Sequence, residues 1–222
     1  MGLAKRTVSF IISILLLPLP IAAAVAFYGE LEKIGSISGE NLYFIWGILG
    51  YVVLNLFISK LDYLYIFGHE VVHSLATFLC GGKVKSFKVT RRGGAVKTTK
   101  TNLFIELSPY FVPIYTVISG LLYLSSSVFN VEKDILPYFL FAIGFTLSFH
   151  IILTSEKIRL KQPDFLRLGH MFSIIMIVTF NIILAEAIVD TLFGEIYFID
   201  FLTSLGMHTK MIYGTIFTQL FL

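Results

Sequence analysis

The run Thr7–Phe27, TVSFIISILLLPLPIAAAVAF, carries no charged side chain. A transmembrane helix needs about 20 mostly apolar residues, so a segment of this kind is made for lipid rather than for a water-facing fold. Lys5 and Arg6 precede it, as in a signal peptide. Its apolar part is long, however, and further apolar segments follow, which predicts an uncleaved first span. Leu103–Phe129, Ile135–Thr154 and His170–Phe193 are further candidate spans. Leu42–Cys80 is one apolar stretch, weakly broken at Lys60-Leu61-Asp62, and the tail 194–222 reads as an amphipathic helix or one more span. Only 14% of residues are charged and 56% are hydrophobic, where a soluble domain carries about 25% charged residues. The expected fold class is mainly α: a polytopic membrane helical bundle of about five to six spans. It is read as one integral membrane domain over 1–222, with its core at 63–192.

Between Cys80 and Leu103 the character changes. The segment GGKVKSFKVTRRGGAVKTTKTN alternates, is rich in valine and threonine, and holds the pair Gly93-Gly94. That pattern predicts a small β-hairpin over 81–102. It carries seven basic residues and no acidic one. Positive charge favours the cytoplasmic side, so Lys5, Arg6, the hairpin and Ser155–Gly169 are expected inside. The acidic loops Tyr28–Asn41 and Asn130–Asp134 are then outside. The N-terminus and the active-site side are thus expected to be cytoplasmic in a multi-pass protein. These assignments agree only if Leu42–Cys80 crosses an odd number of times. As one helix at about 1.5 Å per residue it would reach about 58 Å, twice the hydrocarbon core of about 30 Å. One crossing is expected, with part of the stretch outside the core, tilted or folded back. The single cysteine, Cys80, excludes an intrachain disulfide and a multi-cysteine metal site. Nucleic acid is not an expected partner, because the basic cluster is short, poor in aromatic residues and flanked by membrane segments.

One apolar run contains three ionisable side chains: His69-Glu70-Val71-Val72-His73. Residues four apart share a helix face, so both imidazoles can reach one metal ion at about 2.0–2.1 Å. Glu70 is a step round the helix, placed to act as general base on a water. This is the H-E-x-x-H arrangement of zinc proteases. Charged groups in lipid cost roughly 2.5–3.5 kcal/mol each on insertion scales and usually mark function. The metal ligands read here are His69 and His73 for Zn2+, with Glu70 as the catalytic group. A catalytic zinc needs a third protein ligand and an open position. On chemistry alone Asp164, just before His170–Phe193, and His150, inside a span, are comparable. Glu106, near the start of another span, reads first as an interfacial or helix N-terminal acid. His150 and Glu106 are alternative ligands or supports behind the ligands. Glu186 and Asp190 are read as interfacial.

In this order of features the chain resembles the site-2 protease family of intramembrane zinc metalloproteases. The likeness rests on the H-E-x-x-H motif in an apolar helix, the β-rich segment with Gly93-Gly94, the proline-bearing SPYFVPIYT (Ser108–Thr116), and Pro163-Asp164 before a later span. Together these cover about Phe67–Gly169. The resemblance implies a metalloendopeptidase, a hydrolase that cleaves a peptide bond in or beside a substrate's transmembrane helix. It implies Asp164 as the third ligand, where the family has Asn-Pro and Leu-Asp-Gly. This chain departs from that pattern with Gln162 and Phe165. The partners implied are a membrane-protein substrate and the lipid bilayer. An unwound substrate segment could add to the hairpin edge, with Gly93 and Gly94 as substrate-binding residues. The hairpin's basic residues could also sit on anionic headgroups. The alternative function is a non-proteolytic membrane scaffold or binding protein that retains the protease fold.

Overall fold

The computed structural model describes residues 3–37, 39–57, 61–160, 163–166 and 169–221, without the side chains of 3–6, 132 and 166. Lys60, Gln162 and Arg167 therefore lie outside the described residues. The helices are α1 (Leu3–Leu16), α2 (Pro18–Leu31), α3 (Asn41–Phe57), α4 (Asp62–Leu79), α5 (Leu103–Leu107), α6 (Ile114–Ser126), α7 (Glu132–Ile158), α8 (Pro163–Leu166), α9 (His170–Leu192) and α10 (Phe198–Phe221). Strands β1 (Val84–Thr90) and β2 (Gly93–Thr98) follow α4, and 3-10 turns occupy Ser108–Tyr110 and Ser127–Phe129. The chain is mainly helical with a small antiparallel sheet, as expected. It falls into two compact units: α1, α2 and α8–α10 form one, and α3–α7 with the strands form the other.

Three helical segments are long and apolar enough to cross a membrane: Thr7–Leu31, Lys133–Ile158 and His170–Leu192. The expected span Leu103–Phe129 is instead bent by 77° between Leu103–Tyr110 and Ile114–Phe129, and makes a fourth only if the bent pair counts as one. Pro113 lies at the bend, where it can neither donate an N–H nor favour a helical residue before it. The stretch Leu42–Cys80 is two helices rather than one, because α4 restarts at Asp62. The apolar α3 has 17 residues, shorter than a typical span. Five to six spans are therefore not reached by length and composition among the described residues.

In the first unit, α1 and α2 run on past Leu17, where Pro18 withholds its N–H. Ala22, Ala23 and Ala26 are buried and let α2 approach α9 and α10 closely. At the end of α2, Lys33 Nζ lies 2.7 Å from Glu30 and 3.4 Å from Asp200. Glu186 on α9 is fully buried rather than interfacial. The tail forms α10, a 24-residue helix that is not among the candidate spans.

In the second unit, α3 and α7 touch backbone to backbone. A Cβ on Gly47 would lie 2.1 Å from the Phe141 carbonyl oxygen, and one on Gly144 would lie 2.1 Å from that of Phe44. Small residues permit this approach in membrane helix pairs. A core of Tyr51, Tyr65, Phe149 and Leu153 fills the space between α3, α4 and α7. It fixes α4 against α7, helped by the bond between Tyr65 Oη and Thr154 Oγ1 (3.1 Å) and the Lys157–Asp62 pair (3.0 Å). The sheet pairs Phe87 with Val96, Val89 with Gly94 and Thr90 with Gly93. The turn falls at Arg91-Arg92, so the glycine pair opens β2 instead of making the turn.

Candidate metal centre

Helix α4 positions the motif. Asp62 stands in its first turn, where a negative charge favours the helix dipole. Its end is set by Gly81 at φ +70: Gly82 N–H donates to Thr77 O (2.8 Å) and Gly81 N–H to Phe78 O (2.9 Å). These are the paired bonds of a glycine-terminated helix. Between the ends, the four-residue spacing brings the His69 and His73 rings to 4.7 Å between centroids, at 80°. Both stand on one helical face, as the spacing requires. Tyr110 packs edge-on to His69 at 4.7 Å.

His73 Nδ1 lies 2.7 Å from the backbone oxygen of Ile105. A carbonyl only accepts, so Nδ1 carries the hydrogen, and in the neutral ring the lone pair is then on Nε2. A backbone carbonyl behind a ligating histidine orients the ring and raises its basicity. The carbonyl is itself held in place: Asn102 caps α5 by accepting from Ile105 N–H (2.8 Å). The two imidazoles thus suit a borderline ion such as zinc, copper, iron or nickel. Glu70 is 6% exposed and sits beside the pair, on a flank covered by the hairpin. Phe87 of β1 meets Phe67 of α4 edge-on at 6.1 Å, and the backbone of Gly94 lies directly on the Glu70 side chain.

His150 is buried on α7. It lines a narrow, partly open cleft with His69, Tyr65, Tyr115 and Thr146, with a volume of about 10 Å³. That is room for a single water. Gly68 makes this cleft possible, since a Cβ there would be 2.8 Å from the Tyr115 ring and 2.9 Å from Ile114. Glu106 is buried in the first turn of α5 and accepts from Thr101 Oγ1 at 2.8 Å, the helix-terminal role expected of an acid there. Asp164 is partly buried in the first turn of α8, in the other unit. Gly93 has open space where a Cβ would stand. His69, Glu70, His73, Gly94, Glu106 and His150 thus belong to one unit.

Three contributors are absent from the residues expected on sequence grounds. Ile105 acts through its carbonyl, which no side-chain pattern reveals, although an asparagine before an apolar turn is an N-cap signal. Tyr110 pairs with His69 although the hairpin and α5 separate them in sequence. Gly68 had a visible signal, since a glycine inside a helix costs about 1 kcal/mol and demands a packing reason. No known protein-family profile, curated protein or solved structure matches this chain.

Proposed function

We propose that this protein is an intramembrane zinc metalloendopeptidase that cleaves a peptide bond in or beside a substrate's transmembrane helix. The observation that carries the reading is the imidazole pair on α4, with His73 Nδ1 committed to the Ile105 carbonyl. His69 and His73 would hold the ion, with Asp164 as third ligand on the strength of Pro163-Asp164 in the sequence. When bound, zinc supplies a Lewis acid for the scissile carbonyl and makes water a nucleophile near neutral pH. The chain does the rest. Glu70 takes the proton of the attacking water and returns it to the leaving amine. The Ile105 carbonyl keeps the His73 ring from turning. A substrate helix has its amides bonded internally, so it must unwind locally, and an edge of the hairpin that includes Gly93 and Gly94 would receive the opened strand. The N-terminus and this side of the protein would face the cytoplasm.

The test joins metal analysis of the purified protein with cleavage of a reporter transmembrane peptide. Glu70→Gln keeps the ion and lowers cleavage by about 10²- to 10⁴-fold. Unchanged cleavage in that variant contradicts the mechanism. A second reading, a scaffold that retains the fold without proteolysis, has one observation in its favour: Glu70 is closed over by β2. Purified protein without stoichiometric metal, together with full biological activity in His69→Ala, selects the scaffold.

A further inference from the structure

We propose that Gly94 is a positioning residue for Glu70: the backbone of β2 at this glycine is the wall that sets the carboxylate. The chemistry invoked rests on the metallopeptidase reading. The contact itself does not. A Cβ on Gly94 would lie 2.5 Å from both Cγ and Oε1 of Glu70 and 2.7 Å from its Cδ. Positive φ does not explain the glycine, because Gly94 is not among the residues with that conformation. Its neighbour differs in both respects: Gly93 has φ +158 and open space at its Cβ. What a side chain at 94 would displace is the end of the Glu70 side chain.

The wall is held in place. In the hairpin register, Phe87 is opposite Val96 and Val89 opposite Gly94. Residues directly opposite, and alternate residues along each strand, share a face. Phe87, Val89, Gly94 and Val96 therefore form the face towards α4, and the Phe67–Phe87 ring contact anchors it there. Lys88 and Lys97 fall on the opposite face. Glutamate is a long, flexible side chain that loses rotamer freedom when held. With β2 on one flank, that freedom is already restricted before a substrate arrives.

The magnitude follows from the distances. Carbon atoms in contact sit about 3.5–4.0 Å apart, so an added methyl must push the Glu70 side chain away by about 1 Å. A misplacement of that size at a catalytic group costs about 10²-fold in rate. This separates positioning from a substrate-binding role for the same glycine. Positioning lowers kcat and leaves KM alone, whereas loss of a substrate contact made equally in ground and transition states raises KM.

The experiment compares the full-length wild type with Gly94→Ala and with Ala95→Ser, a change on the outward face. The readouts are zinc content, thermal unfolding, the visible spectrum of the Co2+-loaded protein, and kcat and KM on a quenched-fluorescence peptide of about 20 apolar residues. Gly94→Ala is expected to bind one equivalent of metal, lose about 10²-fold in kcat with KM within about twofold, and shift the Co2+ spectrum. Ala95→Ser matches the wild type throughout. Wild-type kcat in Gly94→Ala, a rise in KM alone, or an unchanged spectrum overturns the proposal. If Gly94→Ala does not fold, Phe87→Ala releases the same wall and must lower kcat and shift the spectrum; wild-type values in it are equally fatal. If the wild type binds Co2+ but cleaves nothing, the proteolytic reading falls, and the spectral comparison alone decides the Gly94 contact. If the wild type binds no metal, the proteolytic reading and the positioning role both fall, and only the packing contact between Gly94 and Glu70 is left.

Discussion

At the scale of residues, the most legible feature was the one with the shortest range. Helical periodicity alone places His69 and His73 on one face, and their rings do meet there. The partners that complete the arrangement are separated from α4 in sequence: the Ile105 carbonyl, Tyr110 and His150. Nothing in the α4 sequence encodes them, so sequence reasoning names His150 as an alternative ligand or support without placing it against His69, and passes over the other two. Histidine variants test the core of the site. His69→Ala and His73→Ala are each expected to lose stoichiometric zinc while remaining folded, as read by metal analysis and far-UV circular dichroism; retained zinc in both contradicts the assignment. Asn102→Ala probes the support behind His73. Losing the α5 cap costs about 1 kcal/mol, and a loosened partner behind a ligand typically costs 10- to 100-fold in metal affinity. Chelator competition measures this, and an unchanged affinity means the Ile105 carbonyl holds His73 without the cap.

At the scale of elements, alternation and β-branched residues were enough to find the hairpin, and the break at Asp62 was visible as a charge in an apolar run. The physical reason that Leu42–Cys80 becomes two helices lies elsewhere. Helix α3 finds its partner in α7, where Gly47 and Gly144 let the backbones touch. A glycine says that close approach is possible, but not to which helix. The contact makes a direct prediction. Gly144→Leu forces a side chain against the Phe44 carbonyl and is expected to destabilise by about 1–3 kcal/mol or more, the usual cost of overpacking. The readout is a lower thermal midpoint in detergent, and an unchanged midpoint contradicts the close contact. The bend at Pro113 was not expected, since Leu103–Phe129 reads as one span; proline chemistry explains where it falls, and its angle of 77° depends on what α6 packs against.

At the scale of the whole molecule, composition points to lipid, and among the described residues three helices have the length and hydropathy to cross a membrane. The five to six expected spans are not reached among the described residues, because apolar content does not distinguish a crossing helix from a short or bent one. The division into two units was not visible, since the first is assembled from both ends of the chain. Its ion pairs give a pH prediction. Lys33 lies beyond the end of the first candidate span, and its hydrogen bond to Glu30 raises its pKa above the ordinary 10.5, against a smaller opposing effect of desolvation. The sign follows: a raised folded-state pKa gives stability that is full below 10.5 and lost as pH rises through the higher folded value. The pair is partly exposed, so its contribution is small, within the range of about 0–1 kcal/mol for surface pairs. Thermal midpoints should therefore fall slightly more above pH 10.5 in the wild type than in Lys33→Met, and identical slopes contradict it. The claim on which the function depends is that the two α4 imidazoles grip one divalent ion. Anomalous scattering on crystals of the purified protein, above and below the zinc edge, tests it most directly. The account predicts one peak within bonding distance of His69 and His73; well-ordered rings with no peak between them would contradict it.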